Sequence, residues 1–281
     1  MSRDILAALA FVLGSILGSF FNVLIYRLPR EESVIAPPSK CPHCGHRIRP
    51  WENIPILGYF VVRGKCRNCG HRISAQYPLV EMASGLIAAL IMWNIGLSWY
   101  AVSLVVLFYL LGLATITDFK HQIIPDEITI AGIILGIIFS AFQFPGFDGI
   151  VRAVLGGLAG GGSLYLIALF GNWLFQQDSM GGGDIKLAAM FGTFLGWQLT
   201  FLGIFLGFCV GAVFGGLYLL LTPRAGSEAK TSESAKNQTT KSETPRSGTI
   251  LPFGPSLAFG AVLSLFWGHA ILDWYLNSFI H

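Results

Sequence analysis

The sequence predicts an all-α polytopic membrane protein of about eight transmembrane helices, carrying a small cytoplasmic, four-cysteine, zinc-ribbon-like insert. Hydrophobic residues make up 53% of the 281 and charged residues 12%, with a mean hydropathy of +0.64. A soluble domain of this size cannot bury that much apolar surface, whereas a bilayer accepts it. Apolar stretches suited to roughly 30 Å of hydrocarbon recur along the chain, and two Cys-x-x-Cys pairs sit in a polar stretch between the first two of them. The net charge of +3 says little about partners. The lipid bilayer is the partner the composition names, and no nucleic acid is expected.

The first span covers about 5–27 and runs through Gly14, Gly18 and Asn22 to Tyr26 and Arg27. It lacks a small-residue cleavage site, so it is expected to stay as a helix and not to be removed as a signal peptide. The others cover about 79–96, 99–117, 128–144, 150–176, 185–197, 199–221 and 251–276. The sixth is short, and the break at Gly196-Trp197-Gln198 separates it from the seventh. Basic residues decide the count, because they collect in cytoplasmic loops. The loop after the first span carries Arg27, Arg30, Lys40, Arg47, Arg49, Arg63, Lys65, Arg67 and Arg72. Eight crossings place that loop inside and both termini in the periplasm, with Lys120, Lys186, Arg224, Lys230, Lys236, Lys241 and Arg246 also inside. Only Arg3 and Arg152 then fall outside. The chain divides into a first transmembrane helix (1–27), a cytoplasmic zinc-binding insert (28–78), a transmembrane core of helices two to seven (79–221), a linker (222–250) and a last helix (251–281). Ser, Thr, Lys, Glu and Ala dominate the linker, which is expected to be disordered and cytoplasmic.

The insert contains Cys41-Pro-His-Cys44 and Cys66-Arg-Asn-Cys69, each followed by Gly-His-Arg-Ile. Two thiolates from each pair complete a tetrahedral ion, which is zinc-ribbon spacing. Disulfides or free thiols are the alternative, disfavoured in a reducing compartment. A shell of four thiolates leaves no open position, so the Zn(2+) is expected to be structural. Cys209 reads as a buried helix residue.

Asp118 ends the third span and Asp184 opens the sixth, both at the cytoplasmic boundary in this topology. Ionisable groups there need a partner, water or a task. Two close carboxylates, one protonated and one not, are what general acid/base peptide hydrolysis requires. Gly181 and Gly183 remove bulk beside Asp184 so that an extended substrate backbone can approach, with Lys186 next to them. Pro125 holds the return into the following helix. Taken alone, either aspartate also fits a helix-end role, Asp184 especially, since a carboxylate is favourable in a first helical turn. Asp126, Glu127 and Asp178 read as solvated loop charges. Gly203, Gly207, Gly211 and Gly215 form a stripe for close helix contact, within the chain or between protomers of a homo-oligomer. Gly160-Gly-Gly162, inside an apolar helix, also reads as packing, and Phe201, Phe205, Phe208 and Phe214 as lipid or packing residues.

These residues resemble the type 4 prepilin peptidase family of GxGD-type membrane aspartic peptidases. The likeness spans Gly18-Ser-Phe-Phe-Asn-Val-Leu-Ile-Tyr-Arg-Leu-Pro29, the four-cysteine insert, Asn53-Ile-Pro55, Ile73-Ser-Ala-Gln-Tyr-Pro78 with Glu81, Asp118 to Asp126, Gly181-Gly-Gly-Asp184-Ile-Lys186 and Pro252-Phe-Gly-Pro255. The resemblance implies that 79–221 is a peptidase core with Asp118 and Asp184 as its catalytic pair. It implies a bacterial inner-membrane enzyme that removes the leader of type IV prepilins or type II secretion pseudopilins at the cytoplasmic face, after a glycine. Members with the four-cysteine insert also N-methylate the new terminus with S-adenosylmethionine, so this chain resembles a bifunctional enzyme. Spacing does not locate that second site: no strand–GxGxxG–helix pattern occurs, and Asn53, Tyr77 and Glu81, near the return of the insert, are weak candidates whose plain role would be local hydrogen bonding. The 222–250 segment is longer than the usual family connection. A transporter also places acids at broken, glycine-rich helices, but both acids lie at one face here and no internal repeat is evident. A scaffold around the zinc ribbon would not need the Gly-Gly-Gly-Asp turn.

Overall fold

The computed structural model describes residues 2–36, 38–144, 146–176, 180–221 and 252–279. Asp178 and the expected linker 222–250 lie outside them. Among the described residues nine α-helices follow in order: α1 (Arg3–Arg27), α2 (Leu57–Val61), α3 (Gln76–Ile95), α4 (Trp99–His121), α5 (Asp126–Gln143), α6 (Asp148–Phe175), α7 (Gly182–Leu195), α8 (Trp197–Leu221) and α9 (Gly254–Phe279). Among the described residues there is no strand, only two isolated antiparallel bridges, Lys40 with Arg47 and Lys65 with Arg72.

Seven of these helices are long and apolar enough to cross a membrane. The sixth expected span is the exception in length. The chain does break at Gly196, whose φ of +78° suits glycine, but α7 has 14 residues, about 21 Å at 1.5 Å per residue. It manages with so little because protein, not lipid, surrounds it. Leu187, Ala188, Met190 and Phe191 are fully buried, and α7 packs on α5, α6, α8 and α9. It still runs the length of the bundle. Gly183 at its start abuts Ile124, just beyond α4, while Leu195 at its end lines one cavity with Tyr100 at the start of α4.

Helix contacts are made by glycines, as expected where lipid removes the hydrophobic drive for association and close backbone approach must replace it. In α1, a Cβ on Gly18 would come 2.8 Å from Glu81 Cα of α3. Between α6 and α7, Gly156 and Gly192 face one another so closely that each would strike the other's carbonyl, and Gly160 lies on the Ala188 carbonyl. The α8 stripe is turned inward on α9: Gly203 meets Ala261, Gly207 meets Leu257 and Gly211 meets Phe253, while Gly215 meets nothing within 4 Å. Three of its four glycines are therefore used within the chain.

Cys209 is a correction: it lies exposed on the outer side of α8, because the glycine face of that helix, not the cysteine face, is the one turned to α9. Phe201, Phe205, Phe208 and Phe214 are exposed on the same helix, with Phe208 also resting against Phe253, 5.1 Å between ring centroids.

Candidate active site and metal centre

The last turn of α4 buries Asp118. The helix stops four residues later at Gln122, which adopts left-handed φ of 54° and returns its N–H to the Asp118 carbonyl oxygen. Pro125, extended at φ −60° and ψ 138°, then starts α5. This tight α4–α5 connection presses Ile124 inward, where it is buried. Two glycines from distant segments close on that corner. Gly254, the first residue of α9, donates its N–H to Asp118 Oδ2 at 2.9 Å, and a Cβ there would lie 2.6 Å from the same oxygen and 3.2 Å from Ile124 Cδ1. Gly183 packs on Ile124 as well, with 3.1 Å to the Ile124 Cβ for a Cβ of its own. Asp184 follows it in the first turn of α7, half-buried and near enough for the charge of Asp118 to act on it. Gly181 lies beside the Asp184 carboxylate, whose Oδ2 would be 3.4 Å from a Cβ placed there. The residues before and within α7 thus bring one aspartate to the corner where the end of α4 holds the other.

Two residues here do something the sequence did not signal. Asp126, read as a solvated charge, accepts from Lys186 Nζ on both oxygens at 2.6 and 2.7 Å, clipping the start of α5 to the start of α7. Both partners are about half exposed, so the clip contributes at most about 1 kcal/mol. Gly254 is the second. Pro252-Phe-Gly-Pro255 carries part of the resemblance, but its use as a carboxylate anchor depends on α9 folding back over α4, which spacing does not reveal.

The cysteines converge in the insert. Cys41, Cys44, Cys66 and Cys69 place their sulfurs within 4.8 Å of one another, with Cys41 Sγ and Cys69 Sγ at 3.9 Å and Cys44 Sγ and Cys66 Sγ also at 3.9 Å. Four thiolates at about 2.3 Å from a tetrahedral Zn(2+) would stand about 3.8 Å apart, so the set fits such an ion, and a disulfide would need sulfurs about 2.05 Å apart. The sequence duplication is a structural one. In each knuckle the first cysteine N–H donates to the following histidine carbonyl, Cys41 to His46 and Cys66 to His71, both at 2.8 Å. The glycine after each pair turns with positive φ, 70° at Gly45 and 69° at Gly70. The backbone N–H of His46, then the Asn68 amide, lower the Cys44 thiol to about 6. The N–H groups of Cys69 and Asn68 lower Cys66 as well. Thiolate, the form a metal takes, is thereby favoured at these two, whereas at Cys69 the His71 N–H is outweighed by burial and the neighbouring thiols, which push the thiol up to about 12.

Of the three weak cofactor candidates, Asn53 is exposed at the end of a short 3-10 turn and Tyr77 is 40% exposed. Glu81 is buried and accepts the Ile56 N–H at 2.6 Å, which fixes the insert to α3 where Ile56 takes a left-handed φ of 62°. Asn22 completes that mounting by donating to the Tyr77 carbonyl at 3.2 Å.

Residues 12–95 match the family model described as the bacterial peptidase A24 N-terminal domain, and residues 105–216 match the type IV leader peptidase family. Proteins named prepilin leader peptidase/N-methyltransferase are similar over nearly the whole chain. The one from Stutzerimonas stutzeri is 36% identical, covering 95% of this chain and 93% of its own. That from Pseudomonas aeruginosa is 34% identical over 96% and 94%, and that from Myxococcus xanthus 39% identical over 78% and 65%. No solved structure matches.

Proposed function

The chain belongs to the type IV leader peptidase family, and from that premise we propose that Asp118 and Asp184 are the two aspartates with which it cleaves prepilin leaders. It is a prepilin leader peptidase with N-methyltransferase activity, built as a multi-pass inner-membrane protein. The observation that carries the assignment is the corner around Ile124, where a buried Asp118 meets Gly254 and the Gly181–Asp184 turn. Adjacent carboxylates disfavour double ionisation, so one holds a proton while the other does not. The ionised aspartate takes a proton from a water whose oxygen attacks the scissile carbonyl. The protonated partner gives its proton to the carbonyl oxygen; the aspartate that took the water proton then passes it to the amide nitrogen, the C–N bond breaks to release the amine, and the re-forming carbonyl returns its proton to the partner. The pair titrates as a unit. The Gly254 N–H holds one Asp118 oxygen and so orients the other. The absence of side chains at Gly181 and Gly183 leaves room for an extended substrate backbone, with Lys186 at the rim. By the distribution of basic residues, this corner faces the cytoplasm and both termini the periplasm.

The four-cysteine knuckles hold one structural Zn(2+), away from hydrolysis, in the insert 28–78. S-adenosylmethionine supplies the methyl group when bound. Among the described residues there is no strand, and Glu81 is engaged with Ile56, which leaves Asn53 and Tyr77 as the exposed polar groups of the three candidates beside the insert. The substrates are type IV prepilins or type II pseudopilins. Incubating the purified chain with a prepilin and S-adenosylmethionine and weighing the product by mass spectrometry tests the reading. The expected product has lost its leader after a glycine and gained one methyl group; an intact prepilin would refute it.

A further inference from the structure

A cavity of about 160 Å³ opens between the starts of α4, α6 and α8, the end of α7 and the middle of α9. Tyr100 in its wall and Asp118 share one helix and lie about 27 Å apart at 1.5 Å per residue, so the cavity is at the opposite end of the bundle from the aspartates and separate from the hydrolytic site. Its basic lining is the guanidinium of Arg152 and the imidazole of His269, and Leu104, Leu107, Leu199 and Leu265 supply apolar wall. No carboxylate lines it.

Arg152 is held in place. Its guanidinium stands 4.5 Å over the Phe144 ring, and one Nη donates to the Leu195 carbonyl at 3.4 Å. Gly196 makes room for it, since a Cβ there would lie 3.0 Å from Arg152 Nε. A guanidinium has five N–H donors, and this mounting engages one; no acid lies within ion-pair distance among the described residues. The polar rim is also set: Ser103 Oγ donates to the Tyr100 carbonyl at 2.8 Å and accepts from Gln143 at 2.9 Å.

Depth is marked by aromatic rings. Trp93 near the end of α3, Trp99 at the start of α4, Trp197 at the start of α8 and Trp274 near the end of α9 are all exposed at this end, with Trp99 stacked on Phe142 at 4.8 Å. Such rings gather at headgroup level. A guanidinium without a counter-acid, beside an imidazole able to donate a hydrogen bond, at headgroup depth and next to an apolar wall, matches an amphiphilic anion; a choline headgroup would find no acid here for its cation. We infer that the cavity binds the phosphate of an anionic phospholipid, with Arg152 and His269 facing the phosphate and an acyl chain against the leucines.

Native mass spectrometry of the full, delipidated chain in detergent tests this by titration with phosphatidylglycerol, phosphatidylcholine and inorganic phosphate. Phosphatidylglycerol should be retained over phosphatidylcholine, and R152Q or H269Q should each lower its retention by about tenfold while leader cleavage is unchanged. Equal retention of the two lipids, or wild-type retention by the variants, would overturn the site. Displacement of phosphatidylglycerol by equimolar inorganic phosphate would overturn the lipid and leave a free-anion site. Should R152Q fail to fold, H269Q alone carries the comparison.

Discussion

Asp118 owes its position to two neighbours, and only one of them is close in sequence. The α4 C-terminus and the Pro125 return were legible because a helix end followed by proline has few conformations. Gly254 was not, since its contact joins residues 136 positions apart. Its smallness is nevertheless testable. In G254A the new methyl would stand 2.6 Å from Asp118 Oδ2, so the carboxylate must shift, and misplacement of a reacting group by about 1 Å costs up to about 10²-fold in rate. Prepilin cleavage by G254A should fall by about that factor with little change in thermal stability. G215A, with nothing within 4 Å of the added methyl, should cleave as wild type. Equal rates for both would show that the Gly254 contact does not orient Asp118. Lys186 illustrates the same limit of sequence: it was visible beside Asp184, but its pairing with Asp126 arises only when the starts of α5 and α7 meet.

The elements were readable where hydrophobic length or residue repetition defines them. Eight apolar segments and a twin-knuckle insert correspond to helices and a thiol cluster in the same order. The length of α7 was not readable as a sheathed helix, because apolar sequence does not say whether protein or lipid will cover it. Its sheath depends on Gly156 and Gly192, which let the α6 and α7 backbones touch. G192V forces side-chain atoms against the Gly156 carbonyl, and overpacking of that kind costs about 1–3 kcal/mol; the thermal midpoint in detergent should drop. An unchanged midpoint would mean that the α6–α7 contact is not tight. The insert is a second element with its own test. C66S should remove the metal, lowering zinc from about one per chain to none by elemental analysis, and destabilise the insert, while the hydrolytic corner stays intact. Undiminished zinc in C66S would rule out the four-thiolate centre.

At the scale of the whole molecule, α4, α7 and α9 are separated by about 60 residues from one to the next and meet at the Ile124 corner. The insert is carried on α1 and α3, joined there through Asn22 and Glu81. On the proposed reading this division keeps the four-thiol cluster apart from the aspartate corner, so removing a cysteine and removing a carboxylate should have different consequences. Sequence reading separated the two by residue type, but only the family motifs tipped the aspartates from helix ends to a pair, since each one alone suits either role. The direct test of the pair is cleavage of a prepilin by D118N and D184N, each confirmed to be inserted and folded with its zinc retained. Loss of an acid or base is worth about 10²–10⁴-fold, so both variants should release no measurable leader over the time in which the wild type completes the reaction. Wild-type cleavage by either variant would contradict the account.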